Sequence, residues 1–271
     1  MLELTLQQIR QIELDLLIEF DKICNEKGYR YSLGGGTLLG AIRHNGFIPW
    51  DDDIDVMMPR PDYEKFINYS LNNNIPFTLI THTTMEGYNG LFAKLSDSTT
   101  VLQDNLIKDD YDLGVNIDIF PIDGLGNSEI EARKILKKTE LQREILNAIS
   151  WKRYFRSKTH GLIFEPIRLA LYYTSRFINP KKILKSVDEK NLKYSFDSSS
   201  YAGCICGSYR TKEIMKKEVF EKYIDVKFEN NIFKAVSDYD TYLTKLFGNY
   251  MVLPPEKERV THHSFQAFYK D

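Results

Sequence analysis

Four aspartates within five positions are the residues of this sequence best suited to chemistry. They are Asp51, Asp52, Asp53 and Asp55. On a β-strand alternate side chains share a face, so Asp51, Asp53 and Asp55 would point the same way. Carboxylates this close repel one another unless a hard cation lies between them, and Mg²⁺ and Mn²⁺ prefer oxygen ligands. The spacing therefore predicts a site for Mg²⁺ or Mn²⁺.

A run of three glycines precedes the acidic cluster by about a dozen residues. Gly34, Gly35 and Gly36 are followed by Thr37, and together they predict a tight turn between a strand and a short helix. Backbone N–H groups of such a turn can approach phosphate oxygens, and the N-terminus of a helix favours an anion. The turn alone is not specific, but its position beside the aspartates indicates a metal–phosphate site.

Asp118 is a candidate for a further carboxylate of the same site. It lies in an apolar alternating segment, residues 115–120, which predicts a strand that Pro121 ends. Such an aspartate is either structural, or it completes the shell of a metal or accepts the proton of an attacking hydroxyl.

The elements that position these residues follow from hydrophobic spacing and from turn residues. Apolar residues at steps of three and four between Leu6 and Ile23 predict a helix that Gly28 ends. Strands are predicted at 29–33, 48–58, 77–80, 91–95 and 115–120, and helices at 37–43 and 62–71.

The composition changes after Gly126. Ser128 and Glu131 form a capping box for a helix that continues to Ile149. Strands are predicted at 201–209, 223–228 and 232–235, and Ser237 is predicted to cap a helix through Phe247. We expect three parts: a core with the metal site at 1–126, a helical, basic and aromatic insertion at 127–200, and a C-terminal segment at 201–271 that completes the core and the active site.

Composition excludes several classes of protein. A hydrophobic fraction of 42% supports a substantial core, and a formal net charge of −2 argues against a general nucleic-acid binder. Three cysteines are too few for a disulfide scaffold. The first twenty residues lack the order of a signal peptide, and the longest uncharged run, 66–85, is too polar to span a bilayer. We expect a cytoplasmic protein.

The segment 151–185 is basic and aromatic. It contains nine Lys and Arg residues against one acidic residue, Glu165, with seven aromatic residues between them. One interpretation is a charged helical hairpin whose aromatic side chains pack inward. The other is peripheral contact with anionic lipid at the inner face of a membrane.

Four motifs carry a resemblance to a known family. They are residues 35–44, residues 49–55, residues 115–121 and the tail from Tyr250 to His263. Together they resemble the LicD family of bacterial phosphocholine transferases and, more distantly, fukutin-related protein, a ribitol-phosphate transferase. The resemblance covers most of the chain outside residues 128–200. It implies an α+β fold of the nucleotidyltransferase, polymerase β-like type, with a mixed-sheet core and an added helical region.

The resemblance also implies a reaction. Asp53 and Asp55, with Asp51, would hold the metal against the diphosphate of CDP-choline or a similar CDP-alcohol, and Asp118 would be a further ligand and the general base. A sugar hydroxyl of a cell-surface, teichoic acid-type glycan precursor, carried on a lipid, would attack, and CMP would leave. The residues expected to bind phosphate or substrate are Gly35, Gly36, Thr37, Arg43, His44, Trp50, Lys94, Lys257, Arg259, His262 and His263. Two neighbouring cysteines, Cys204 and Cys206, do not suffice for the zinc site of fukutin-related protein.

Other functions stay open on the sequence alone. Glycerol phosphate or ribitol phosphate are alternatives to phosphocholine. Glycosyltransferases also bind manganese through Asp-x-Asp, although a nucleotide-binding half-domain of about a hundred residues usually comes first. Here about fifty residues precede Asp53. A non-catalytic binding protein with the same fold is the third possibility.

Overall fold

The structure, a computed structural model, describes residues 1–108, 111–156, 161–261 and 265–271. These residues form helices and strands in mixed order, which confirms the α+β class. The helices are α1 (Leu6–Lys27), α2 (Gly35–His44), α3 (Arg60–Asn72), α4 (Glu129–Ser150), α5 (Glu165–Ser175), α6 (Pro180–Asn191) and α7 (Tyr239–Phe247). The strands are β1 (Ser32–Leu33), β2 (Asp55–Pro59), β3 (Thr78–Ile80), β4 (Ala93–Ser96), β5 (Thr100–Asp104), β6 (Asn116–Gly124), β7 (Tyr201–Gly203), β8 (Met215–Lys216), β9 (Tyr223–Phe228), β10 (Asn231–Val236) and β11 (Phe265–Tyr269).

A seven-stranded mixed sheet forms the centre of the molecule. Its main order is β1-β2-β6-β4-β3, and β7 joins the far end of β6 and carries β8 beside it. Strands β2 and β6 are parallel, whereas the other neighbouring strands are antiparallel. Two smaller ladders accompany this sheet, the hairpin β9–β10 and the pair β5–β11.

Helix α1 covers the core as its apolar spacing predicts. The Thr5 hydroxyl accepts the Gln8 N–H, and Gln8 reaches back to the Thr5 N–H, so a capping box starts the helix. Gly28 ends it in the left-handed conformation, at φ 67°. Phe20 is fully buried, and its ring packs edge-on against Tyr31 at a centroid distance of 5.0 Å. The prediction for this helix is confirmed.

The acidic strand is shorter than predicted. It begins at Asp55 rather than at residue 48, so the alternation used to align Asp51 and Asp53 with Asp55 is wrong. The reason lies in the neighbouring strand. Strand β1 ends at Leu33 because Gly34 caps α2, which leaves residues 51–54 without a strand beside them on that side.

Pro121 does not end its strand, contrary to the prediction. Strand β6 continues through it to Gly124 and pairs with β2 on one side along residues 118–122. On the other side β6 pairs with β4 only up to Ile119, and its pairing with β7 begins at Asp123. Pro121 therefore lies in a gap between two partner strands, where a missing N–H costs little.

The C-terminal third also differs in detail from the sequence-based expectation. Strand β7 is three residues long instead of nine. Asp238, not Ser237, caps α7 by accepting the Thr241 N–H at 3.4 Å. The Ser237 N–H donates to the Lys222 carbonyl at the end of the hairpin. Strands β5 and β11 were not predicted.

The described residues between positions 127 and 200 form three α-helices. Helix α4 begins at the predicted capping box, with the Ser128 hydroxyl accepting the Glu131 N–H at 3.3 Å. Helices α5 and α6 pack against α4.

Lys158 of the basic segment lies outside the described residues. No helix of the described part of the chain has both the length and the hydrophobicity to cross a bilayer. The division into three parts stays a prediction.

Candidate active site

Three charged side chains form a row across the central sheet. Asp55 on β2 lies directly beside Asp118 on β6, and Asp118 lies opposite Lys94 on β4. Neighbours in register share a face of the sheet, so the side chains meet. The Lys94 ammonium donates to Asp118 Oδ1 at 2.5 Å and to Asn116 Oδ1 at 3.0 Å. The structure thus brings Asp118 to the acidic cluster and adds a cation beside it.

The N-terminus of α2 lies against the first residue of β2. The Gly34 N–H donates to the Asp55 carbonyl at 2.9 Å, and the Asp55 N–H donates to Thr37 Oγ1 at 2.8 Å. The buried Thr37 hydroxyl is therefore engaged with the strand. Its position fixes the backbone of Asp55 beside the helix end, where the helix dipole favours negative charge.

Two glycines make room for two carboxylates. A Cβ atom on Gly35 would lie 2.9 Å from Asp55 Oδ2, and one on Gly36 would lie 2.7 Å from Asp51 Oδ2. Gly35 also has a φ of +46°. Contrary to the prediction of a turn, these glycines form the first turn of α2 itself. Their lack of a side chain lets Asp51 and Asp55 approach the helix end, where an anionic ligand would also bind.

The electrostatics of the row favour a bound cation. Burial raises the pKa of Asp55 well above its usual value, and the charges of Asp53, Asp118 and Asp51 raise it further, while Lys94 opposes them. Like charges held this close destabilise the ionised forms. A divalent ion among these carboxylates would remove that repulsion.

Glu13 is a residue of the site that sequence reasoning missed. It is 2% exposed, and its Oε2 atom has no hydrogen-bond partner among the described residues. Burial is the main cause that raises the pKa of Glu13, and the charges of Asp53, Asp52, Asp118 and Asp51 raise it further. The sequence does contain a sign of this role, because Glu13 is an acidic residue on the apolar face of α1 that also carries Ile9 and Phe20.

Arg10 is a second missed residue, and it holds the acidic segment in place. Its guanidinium donates to the carbonyls of Ile48 at 2.9 Å, Pro49 at 3.0 Å and Asp51 at 2.5 Å. One side chain of α1 thereby satisfies three carbonyls of a segment that has no strand partner. Nothing in the local sequence pairs Arg10 with residues almost forty positions away.

The oxygen donors of the acidic cluster are of the type that binds a hard divalent ion. Within the described ranges, no three His, Cys, Asp or Glu side chains are grouped closely enough to hold a metal. The Lys94 ammonium contacts Asp118, so this carboxylate would reorient to bind an ion. The donors are nevertheless all carboxylates, and Glu13, whose Oε2 atom has no hydrogen-bond partner among the described residues, lines the same cavity as Asp53 and Asp118. Such a set fits Mg²⁺ or Mn²⁺.

Two cavities meet this acidic centre. The first is lined by acidic, basic and apolar residues. Its lining includes Glu13, Asp52, Asp53, Lys94, Leu102, Lys108, Tyr111, Asn116, Asp118 and Phe265. The second is lined by Gly35 and Asp55 and by three aromatic residues, Phe120, Tyr209 and Tyr242. Two cavities beside one acidic centre would suit a transferase, which needs one site for a donor and one for an acceptor.

A second group of predicted residues lies at the other end of α2. Arg43 donates to His44 Nε2 at 3.0 Å and to the Tyr250 carbonyl at 2.7 Å. Arg259 lies over the Trp50 ring at 5.7 Å, and Trp50 contacts His44 edge-on. Burial and the nearby Arg259 lower the pKa of Arg43, while burial and Arg43 lower that of His44. Two close cations of this kind suit a phosphate.

The tail residues of the prediction are less well placed. Lys257 is exposed in the short helical turn Glu256–Glu258. His262 and His263 lie outside the described residues.

Comparison with known proteins identifies the family. A sequence model described as "LicD/FKTN/FKRP, nucleotidyltransferase domain" matches residues 28–150. The lipopolysaccharide cholinephosphotransferase LicD of Haemophilus influenzae is 32% identical over 272 residues, which cover 99% of both chains. The chain belongs to the LicD family. Its expected enzyme class, a phosphotransferase, is confirmed by the same comparison.

A short segment is also similar to more distant proteins. The ribitol 5-phosphate transferase FKRP of Homo sapiens and that of Mus musculus are each 62% identical over 29 residues. That segment covers 11% of this chain and 6% of each of those proteins. The expected likeness to fukutin-related protein is thus strong in this short segment, and the family model that also names FKRP matches residues 28–150.

Proposed function

We propose that this LicD family member transfers phosphocholine from CDP-choline to a sugar hydroxyl of a cell-surface glycan precursor, of lipopolysaccharide or teichoic acid type, and releases CMP. The similarity to a cholinephosphotransferase along almost the whole chain supports the donor. The observation that carries the proposal is the pairing of Asp55 with Asp118 beside the N-terminus of α2. This arrangement brings together a carboxylate pair and a backbone anion site, which transfer from a diphosphate requires.

The carboxylates have separate roles in this proposal. Asp53, Asp55 and Asp118, with Asp51, would hold Mg²⁺ or Mn²⁺. When bound, the ion would neutralise the diphosphate and the charge that develops on the leaving CMP. Asp118 accepts the proton of the acceptor hydroxyl, and the Lys94 ammonium lies beside that carboxylate. Glu13 completes the carboxylate lining on the side of the first cavity.

Neutral and basic groups bind the phosphates. The positive end of the α2 dipole, at Gly35 and Gly36, attracts the phosphate oxygens. Arg43 and Arg259 add positive charge at the other end of α2. We also propose that the core is a polymerase β-like nucleotidyltransferase fold, which the description of the matching family model supports.

The acceptor is proposed to be a lipid-linked glycan reached at the cytoplasmic face of a membrane. Exposed apolar side chains around α5 support this placement. Ile163 is 81% exposed and Phe177 is 92% exposed, and the lysines Lys181, Lys182 and Lys185 follow on α6. An exposed apolar group flanked by positive charge suits the surface of an anionic bilayer.

Two other donors remain second candidates. The short similarity to ribitol 5-phosphate transferases favours CDP-ribitol as an alternative, and CDP-glycerol differs from it only in the length of the polyol. The similarity to a cholinephosphotransferase along 99% of the chain favours phosphoryl transfer over transfer of a sugar by an Asp-x-Asp glycosyltransferase.

The test is a comparison of donors. The protein is incubated with Mg²⁺ and CDP-choline, CDP-glycerol or CDP-ribitol, with and without deacylated lipopolysaccharide or teichoic acid, and CMP release is followed. We expect fastest release from CDP-choline, dependence on the glycan, and loss with EDTA. Release from a nucleotide sugar alone, with none from any CDP-alcohol, would contradict the proposal.

A further inference from the structure

The second cavity has the chemistry of a site for an organic cation. It encloses about 400 Å³ of empty space, part of which is open to solvent. Gly35 and Asp55 lie at one end, where the proposed phosphate site begins. The remaining wall is mostly aromatic and aliphatic, and consists of Met57, Phe120, Ile122, Tyr209 and Tyr242, together with Cys204, Gly207, Ser208 and Glu213.

Glu213 is a buried carboxylate in this wall. It is 5% exposed, and burial raises its pKa to about 7. A hydrogen bond from the Tyr209 backbone N–H and the charge of Arg143 partly offset this rise in pKa. The chain passes directly over it, since a Cβ atom on Gly207 would lie 2.2 Å from Glu213 Oε1. A carboxylate kept out of water in this way is costly unless a cation accompanies it.

The aromatic side chains of the cavity are fixed in position. The Tyr242 hydroxyl accepts the Gly35 N–H at 3.1 Å, so this ring connects the cavity to the start of α2. Phe120 packs against Phe92 with ring centroids 4.5 Å apart. Tyr209, which is 37% exposed, packs edge-on against Phe247 at 5.2 Å. Aromatic faces attract a cation that has lost its water.

From this geometry we infer that the cavity holds the trimethylammonium end of the donor, with Glu213 as its counter-charge and with Tyr209, Tyr242 and Phe120 as its aromatic walls. The inference rests on the proposed function, because it assigns to the same site the part of the donor beyond the phosphates. A quaternary ammonium has no hydrogen-bond donor and carries its charge on methyl groups. It therefore suits a wall of aromatic rings and one carboxylate.

The same cavity disfavours the polyol donors. Glycerol and ribitol chains carry several hydroxyls, each of which needs a partner when it leaves water. The polar side chains of the wall, besides Asp55, are Ser208, Glu213 and two tyrosines, and the Tyr242 hydroxyl already accepts the Gly35 N–H. The other side chains, among them Met57, Phe120 and Ile122, offer no such partner. The cavity thus selects for the positive charge of choline over a neutral alcohol of similar length.

The experiment compares two donors of the same shape. Binding of CDP-choline and of its uncharged carbon isostere, CDP-3,3-dimethylbutanol, is measured by calorimetry with Mg²⁺. We expect wild type to prefer CDP-choline at least about tenfold, and Glu213→Gln to reduce this preference to about threefold or less. Tyr209→Leu, at a half-exposed position, should weaken CDP-choline binding roughly three- to thirtyfold. Glu218→Gln, a change at an exposed neighbour, should leave the preference as in wild type.

The outcomes separate this inference from the proposed function. An unchanged preference in Glu213→Gln, together with unchanged CDP-choline binding in Tyr209→Leu, overturns the cation site even if CMP release from CDP-choline is normal. A preference that depends on Glu213 supports the cation site even if no glycan tested accepts phosphocholine. A wild type that binds both nucleotides equally overturns the cation site whatever the rate of CMP release.

Discussion

Gly36 illustrates how a residue without a side chain can serve this active site. Its backbone lies in the first turn of α2, and the space that a methyl group would take is occupied by the Asp51 carboxylate. Gly35 plays the same part for Asp55 but needs its positive φ as well. The two glycines therefore act as spacers for carboxylates more than as formers of a turn.

Gly36→Ala should lower activity without lowering stability. Alanine suits a helix better than glycine by up to about 1 kcal/mol, so the melting temperature should stay or rise. The new methyl group would displace Asp51, and a small misplacement of a metal ligand costs roughly ten- to a hundredfold in kcat/KM. Gly161→Ala, where a Cβ atom meets nothing within 4 Å, is the matched control. Wild-type CMP release by Gly36→Ala would contradict this role.

Glu213 should make stability depend on pH. Its pKa is about 7 in the folded protein against a usual 4.5, so between these values the folded state keeps a proton that the unfolded state releases. The free energy of unfolding of wild type therefore falls as pH rises through this range. Glu213→Gln does not titrate and should be more stable than wild type by up to about 3 kcal/mol at pH 8, with little difference at pH 4.5.

Urea unfolding without nucleotide, at both pH values, measures this effect. If the free energies of unfolding of wild type and Glu213→Gln differ by the same amount at pH 4.5 and pH 8, Glu213 is not buried as described.

The buried residues of the site mark the limit of sequence reasoning at this scale. Asp55 and Asp118 could be paired in advance because each lies in an apolar alternating strand. Glu13 and Arg10 could not, because their roles depend on where α1 crosses the acidic segment. Glu213 lies in a segment of weak periodicity, and only the fold places it beside tyrosines that are distant along the chain.

Strand β6 is the element on which the site and the core both depend. Its first half carries Asp118, and its far end carries Asp123, which is 1% exposed. Arg60 at the start of α3 binds Asp123 through two hydrogen bonds, at 2.6 and 3.0 Å. Burial raises the pKa of Asp123, and the charge of Arg60 opposes the shift. The pair ties the helix that follows β2 to the end of β6.

Arg60→Ala should therefore destabilise the protein strongly. It leaves Asp123 buried without its partner, which costs about 3–5 kcal/mol. Arg133→Ala removes an exposed pair with Glu129 and should cost no more than about 0.5 kcal/mol. The double change Arg60→Met with Asp123→Leu should recover much of the loss. Chemical unfolding of the three variants provides the values, and equal stabilities for Arg60→Ala and Arg133→Ala would contradict the account.

Elements with local determinants were predictable, and those that depend on distant pairing were not. Helices α1 and α4 follow from capping boxes and apolar spacing that lie within one segment. The ladder between β5 and β11 joins residues more than 160 positions apart, and neither strand has a distinctive pattern alone. The start of β2 depends on the length of β1, which the sequence around Asp51 does not reveal.

At the scale of the whole molecule, the exposed apolar residues around α5 require an explanation. Ile167 is 59% exposed and Tyr173 is 62% exposed, next to the highly exposed Ile163 and Phe177. Aromatic residues of this region do not all pack inward, as a charged helical hairpin would require. The structure thereby favours the second sequence-based interpretation, contact with a lipid surface, which stays a proposal.

Vesicle sedimentation tests this surface. The protein should bind vesicles of phosphatidylglycerol and phosphatidylcholine, and less so at high salt. Replacing Ile163 and Phe177 by Ser should weaken binding about tenfold or more, and neutralising Lys181, Lys182 and Lys185 should remove the salt dependence. Replacing the exposed Leu71 and Ile232 by Ser is the control for general hydrophobicity. Equal sedimentation of all variants would leave no role for this surface at a membrane.

The central claim is that the carboxylates of β2, β6 and the preceding segment hold a divalent ion. Titration of Mn²⁺ followed by electron paramagnetic resonance, in the presence of CDP-choline, tests it most directly. We predict that Asp55→Asn and Asp118→Asn each weaken Mn²⁺ binding at least about tenfold, and that Asp225→Asn, on the exposed side of β9, does not. Equal Mn²⁺ affinity in wild type and in all three variants would contradict the account.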